Sequence, residues 1–217
     1  MRVKIIGNII QKNNNGKTNY NHEIYSMILT NISVERAKRI HSREKFKRLF
    51  TFTNLYRENN SIHLYISGED SLIKDFVNCL MFNQIVRIGD IVVNITNIQP
   101  MQNSLIEKEI YTFKSNFVIN DMKNGKVHLT EDMNYLKQRI KEVAISKFNE
   151  VNNCFKDFDI NIDLVDMKHK YTKYKNHHIN YYNAKFKLTG EKDLIDFIYN
   201  VGIGENTATG HGFMWEV

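Results

Sequence analysis

The chain has 217 residues, 42% of them hydrophobic and 25% charged, with a single proline and a formal net charge of +6. This is globular composition, enough for one large domain or two small ones, and it excludes a disordered or low-complexity chain. No apolar stretch approaches the roughly 20 residues that cross a bilayer, and the N-terminal apolar run is too short and wrongly flanked for a secretory signal. Cys79 and Cys154 have neither C-x-x-C spacing nor the density of a disulfide scaffold, so a cytoplasmic protein with buried thiols and no membrane contact is expected.

Residues 2–10 are short, apolar and β-branched, the pattern of a buried strand. Ile24, Met27, Ile28 and Ile32 then recur at helical spacing over Tyr20–Ile32, and a second helix is predicted over Val34–His41. Leu49–Tyr56 and Ile62–Ile66 alternate as strands. Leu72, Ile73, Phe76, Val77, Leu80 and Met81 form the buried face of a helix, and Ile91–Ile98 reads as a strand with Pro100 marking its exit. The order is that of a ferredoxin-like βαββαβ unit.

The order then repeats. Leu105–Ile119 is extended, Leu136, Ile140, Val143, Ala144, Phe148 and Val151 place one apolar stripe along a long helix, and strands follow over Ile160–Met167 and Ile179–Leu188. Leu194, Ile195, Ile198 and Val201 mark the last helix. The run Ile66-Ser67-Gly68-Glu69-Asp70-Ser71-Leu72-Ile73 is echoed by Leu188-Thr189-Gly190-Glu191-Lys192-Asp193-Leu194-Ile195, each where a strand turns into a helix. The expected fold is α+β, two tandem ferredoxin-like (RRM-like) domains over residues 1–100 and 101–217.

Charge is unevenly spread: residues 1–100 hold 14 Lys or Arg against 8 acids, residues 101–217 hold 16 against 16. Arg36, Lys38, Arg39, Arg43, Lys45, Lys47 and Arg48 stand with only Glu44 among them. Lys168, Lys170, Lys173, Lys175, Lys185 and Lys187 occupy a window with no acid, interleaved with Tyr171, Tyr174, Tyr181, Tyr182 and Phe186. Two such clusters suit a polyanion whose bases stack on rings, the alternative for each being a solvated face.

Four of the ten glycines fall in the last sixteen residues, as Gly202, Gly204, Gly210 and Gly212. Glycine permits positive φ and close approach of backbone, so this segment either offers N–H groups to a phosphate or makes a tight connection to a final strand. It lacks the G-K-[ST] of a P-loop and follows a helix, unlike a dinucleotide fingerprint. No cluster of His, Cys or carboxylates has metal spacing, and no cofactor is expected.

Gly202-Ile203-Gly204-Glu205 followed by Gly210-His211-Gly212 before a terminal strand resembles the C-terminal glycine-rich motif of the repeat-processing CRISPR endoribonucleases, the Cas-six type of the RAMP superfamily. Tyr20-Asn21-His22, Lys38-Arg39-Ile40-His41 and Lys47-Arg48-Leu49-Phe50-Thr51-Phe52-Thr53 fall in that family's order, and the likeness spans essentially the whole chain. The resemblance implies binding of precursor CRISPR RNA and metal-independent cleavage within each repeat by 2′-OH attack, leaving a 5′-hydroxyl and a 2′,3′-cyclic phosphate. It implies His41 as the central acid or base, with an imidazole able to work in either direction at neutral pH. Lys47, or Arg48 beside it, would stabilise the phosphorane, while Tyr25 either holds the 2′-OH or is a core tyrosine. His211 departs from the aromatic or basic residue frequent between the two loop glycines and is a candidate phosphate contact. The implied partners are the RNA repeat and other CRISPR-associated proteins, with the chain a monomer or homodimer. Two rival readings stay open: a non-catalytic RNA-binding relative acting as a scaffold in a CRISPR complex, and a small-molecule sensor.

Overall fold

The structure is a computed structural model and describes residues 1–13, 19–41, 48–102, 104–123, 126–128, 130–174 and 177–217. In the first half, β1 (Arg2–Lys12) leads into α1 (Asn21–Thr30) and α2 (Val34–His41), then β2 (Phe50–Phe52), β3 (Tyr56–Glu58) and β4 (Ser61–Gly68). α3 (Asp70–Phe82), β5 (Ile85–Ile88) and β6 (Ile91–Met101) complete it. All pairs are antiparallel in the order β2-β4-β1-β6-β5, with β3 also on β4. Val3, Ile5, Leu64 and Ile66 point from alternate strand positions into a core shared with Ile24, Ile28, Ile73 and Phe76 of the helices.

The second half runs β7 (Tyr111–Phe117), β8 (Asp121–Lys123), β9 (Lys126–His128), α4 (Met133–Asn152), β10 (Ile160–Tyr174), β11 (His177–Gly190), α5 (Lys192–Val201), a 3₁₀ turn at Thr207–Thr209 and β12 (Met214–Glu216). Its sheet order is β10-β11-β7-β12, so each half has its first and third ferredoxin-like strands at the centre. Asp132 opens α4 by accepting the N–H groups of Asn134 and Tyr135 at 2.9 and 3.1 Å. No helix of the described residues is long and apolar enough to cross a membrane.

The echoed octapeptides occupy equivalent places. Glu69 N–H donates to the Leu49 carbonyl at 2.9 Å and Glu191 N–H to the Asp159 carbonyl at 3.1 Å, so each Gly-Glu ties the strand-to-helix turn to the start of the neighbouring strand.

The structure differs from the sequence expectation in several ways: Met81 and Val151, expected on buried helix faces, are exposed, and the thiols of Cys79 and Cys154 are only half-buried. The strand expected over Leu49–Tyr56 is two, because the Asn54 side chain accepts its neighbour Leu55 N–H at 2.9 Å and interrupts the ladder. A hairpin strand, β5, precedes β6 through a turn with Gly89 at φ 62°. β6 runs through Pro100 to Met101; its outer flank pairs with β5 only as far as Asn94, so a residue without N–H is tolerated there. β10 and β11 are much longer than expected, and beyond Tyr182, where pairing with β7 ends, they continue as a two-stranded ribbon.

Side chains of the first half join the halves by reaching backbone carbonyls of the second. Arg2 is fully buried and donates to the carbonyls of Tyr199 at 2.5 Å and Met214 at 2.7 Å, its guanidinium 3.7 Å from the centre of the Tyr199 ring and 4.2 Å from that of Phe213. Thr51 Oγ1 donates to the His211 carbonyl at 2.7 Å, Asn21 Nδ2 to Thr209 at 2.9 Å, and Ser67 Oγ to Asn200.

Candidate functional site

Two places carry chemistry, and the first is the corner of α1, α2 and β2. His41 is the last residue of α2; its side chain and residues 42–47 lie outside the described residues, and with them Arg43, Lys45 and Lys47. Arg48, the next described residue, donates from Nε to the Ile40 carbonyl at 3.3 Å, which returns a cation to the last turn of α2 beside His41. Tyr25 lies close enough to feel that cation. Its ring is half-buried and stacked at 6.2 Å on Phe50, so burial raises its pKa above the ordinary value, with the Arg48 charge pulling the other way. The phenol therefore stays protonated at neutral pH, a hydrogen-bond donor. Tyr20, the other tyrosine of this segment, is a core residue at 2% exposure.

The remaining cations divide. Lys38 and Arg39 are exposed on α2, whereas Arg36 donates to Ser71 Oγ at 3.0 Å and lies 3.4 Å from Asp75, so α3 takes up much of its charge. Lys168 and Lys170 are exposed on β10, opposite Asn183 and Tyr181 in the ladder. The side chains of Lys173 and Lys175 lie outside the described residues.

The glycine segment is a wedge between the halves. Gly202, Gly204, Gly210 and Gly212 all have positive φ, between 79° and 95°, as close approach requires. What they approach is protein. A Cβ on Gly204 would lie 2.6 Å from the Val118 carbonyl oxygen, and one on Gly210 would lie 2.5 Å from Asn21 Nδ2 and 2.8 Å from the Phe52 ring. Gly202, Gly204 and Gly212 are buried against protein, an arrangement that fits a tight connection. Charged groups hold the segment in place. Arg139 donates to Glu205 at 2.9 Å, the same carboxylate accepts from Asn120, and Lys147, buried, donates to the Gly204 carbonyl at 2.6 Å. Burial lowers the Lys147 pKa to about 8, with Glu205 opposing.

His211 is 3% exposed rather than presented to solvent, its Nδ1 is 3.0 Å from Thr209 Oγ1, and its ring packs on Tyr181. Burial lowers its pKa to about 4, so at neutral pH it is uncharged and cannot serve as a cation for phosphate. Because its folded pKa lies below the unfolded value near 6.5, the unfolded chain takes the proton first. Stability from this group is complete above pH 6.5 and is lost as pH falls through 4, by roughly 3 kcal/mol in all. Denaturant unfolding between pH 7 and 4 should show that slope, and His211→Gln should flatten it; an unchanged slope would mean the ring is not buried neutral.

The second place is a cleft of about 620 Å³ between the two sheets, floored by Lys114, Asn116 and Asn183 and walled by β2, β3 and the residues around His211. Asn19, Asn21 and Asn54 add amides, and Tyr56, Tyr181 and Trp215 add rings. Sequence reasoning missed most of this site, although Lys114 and Asn116, like Tyr181 and Asn183, are alternate positions on their strands and so share a face.

Residues 101–216 match the family described as CRISPR associated protein Cas6, C-terminal. The chain is 25% identical over 237 residues to a CRISPR-associated endoribonuclease-like protein Cas6 of Pyrococcus furiosus, with 99% of this chain and 98% of the relative covered. It is 27% identical over 221 residues to CRISPR-associated endoribonuclease Cas6 1 of Methanocaldococcus jannaschii, covering 91% and 87%. A solved structure described as an RAMP protein binding different RNA substrates superposes with a TM-score of 0.84 over 100% of this chain and 99% of that one, at 19% identity, a likeness of fold.

Proposed function

The chain belongs to the Cas6 family of CRISPR-associated proteins, and from that membership we propose that it is an endoribonuclease that binds precursor CRISPR RNA and cuts it within each repeat. The observation that supports the reading is the α1–α2–β2 corner, where Arg48 bonds the last turn of α2 next to His41 in the chain and its charge reaches the protonated phenol of Tyr25. A tyrosine held neutral positions the ribose 2′-OH as a hydrogen-bond donor rather than removing its proton. His41 transfers the proton, taking it from the 2′-OH or giving it to the departing 5′-oxygen. Arg48, or Lys47 beside it, stabilises the charge that builds on the phosphorane oxygens. One P–O bond forms to the 2′-oxygen as the bond to the 5′-oxygen breaks, which yields a 2′,3′-cyclic phosphate and a 5′-hydroxyl with no metal required.

Binding is spread over both halves. Exposed Lys38 and Arg39 on one, Lys168 and Lys170 on the other, and the ring-lined cleft between the sheets support a bound single strand. Incubating the protein in excess EDTA with a synthetic repeat RNA, taken from a CRISPR array beside its gene, tests the function. One cut per repeat with a cyclic-phosphate end is expected. Tight binding without any cut would favour the scaffold role, and no retention of RNA at moderate salt would favour the sensor.

A further inference from the structure

We propose that Lys147, buried on α4, is a positioning residue for cleavage: it pins the glycine segment at Gly204 and, through that segment, holds β2 and the corner of Tyr25 and Arg48 in the geometry the reaction needs. This rests on the reading that the chain cuts RNA, and it adds a residue that touches none of the reacting groups.

Lys147 stands where the helix period asks for an apolar side chain. Leu136, Ile140, Val143, Ala144 and Lys147 are the buried residues of α4, at spacings of three and four that make one face. A leucine or methionine there would fill the space without taking a charge out of water. The ammonium instead donates to the Gly204 carbonyl at 2.6 Å. Glu205, the next residue, supplies the nearby counter-charge, while its own oxygens accept from Arg139 and Asn120. With its pKa lowered only to about 8, Lys147 keeps its proton at neutral pH, so the bond to Gly204 is charge-assisted.

From Gly204 the connection to the corner is short. Ile203 N–H donates to the Gly212 carbonyl at 3.0 Å, so the two arms of the segment are tied to each other. The carbonyl of His211, next to Gly212, accepts from Thr51 Oγ1 at 2.7 Å. Gly202 packs on the same threonine, where an added Cβ would lie 3.0 Å from Thr51 Cβ. Thr51 follows Phe50, whose ring stacks on Tyr25 at 6.2 Å, and Arg48 lies just before them in the chain. Asn21, in the first turn of the helix that carries Tyr25, holds the Thr209 carbonyl at 2.9 Å. A buried cation of the second half and the reaction corner of the first therefore grip one segment from opposite sides. Without Lys147, the arm at Gly204 loses its tie to α4, and a small shift of catalytic groups is enough to slow a reaction that depends on their alignment.

The test is single-turnover cleavage of a synthetic repeat RNA at pH 7, with protein saturating and the temperature well below the Tm of every variant. Lys147→Met, which keeps the length of the side chain and removes its donor and charge, should cut about 10- to 100-fold more slowly while its Kd for the RNA stays within about twofold. Thr51→Val, which cuts the same connection at its other end, should also slow cleavage. The double variant should be no more than about threefold slower than the slower single one, because both changes break one path. Rates that multiply in the double variant, a Lys147→Met protein that cuts as fast as wild type, or a loss confined to Kd would overturn the proposal. A purely structural lysine predicts the second of these, because far below its Tm the variant is fully folded. Should Lys147→Met not fold, Thr51→Val decides alone, and an undiminished rate in it overturns the path. A wild type that cuts while both variants cut equally well removes this inference only; a wild type that binds its repeat and never cuts it removes the reading of function and this inference together.

Discussion

His41→Ala should leave RNA affinity within a few-fold of wild type and reduce single-turnover cleavage of the repeat by about 10²- to 10⁴-fold. A residue that moves a proton acts on the transition state, and under the proposed function binding of the intact RNA rests instead on cations and rings of both halves. Arg48→Ala is the companion measurement: it removes the cation next to Tyr25 and the bond to the Ile40 carbonyl, and should lower the cleavage rate as well. Undiminished cutting by His41→Ala would move the chemistry elsewhere in the chain.

Arg2→Ala should lower stability by about 3 kcal/mol, a fall in Tm on the order of 10 °C for a chain of this size. The substitution leaves the carbonyls of Tyr199 and Met214 without their donors and opens a void between the Tyr199 and Phe213 rings. Burial already lowers the Arg2 pKa to about 10, so part of what its bonds gain is offset by desolvation. Arg2→Lys should recover little, because a single ammonium cannot fork to two carbonyls or lie flat between two rings. An unchanged Tm in Arg2→Ala would mean that this contact between the halves is not a source of stability.

The doubled fold was legible because each half spells its elements in periodicity: Val3 and Ile5 alternate on a strand, and Leu72, Ile73, Phe76 and Leu80 recur on a helix face. The echo of residues 66–73 in residues 188–195 was a true sign of equivalent turns, since Glu69 and Glu191 make the same backbone bond. Hairpins were harder. The Gly89-Asp90 turn before β6 is a recognisable signal between two apolar runs, yet a strand of four residues is too short to announce itself by alternation. The length of the β10–β11 ribbon was hidden because its distal residues, Ile179 apart, are polar and aromatic and do not alternate with apolar ones.

The site was legible only in part, for a similar reason. Glycine spacing pointed to positive φ at Gly202, Gly204, Gly210 and Gly212, but the neighbour that demands it, Val118 for Gly204 or Asn21 for Gly210, is set by tertiary packing. Basic residues could be counted in the sequence, whereas the diversion of Arg36 to Asp75 on α3 could not. The amides of the cleft come from positions 19, 21, 54, 116 and 183, spread over both halves, and only the fold brings them together.

The most direct test of the central claim is single-turnover cleavage, in excess EDTA, of two repeat RNAs that differ by one atom: the natural strand, and one with a 2′-deoxyribose immediately upstream of the scissile phosphate. Attack by the neighbouring 2′-oxygen predicts that the natural strand is cut to a 2′,3′-cyclic phosphate and that the deoxy strand is bound equally well but left whole. Cleavage of the deoxy strand at the same position would contradict the account.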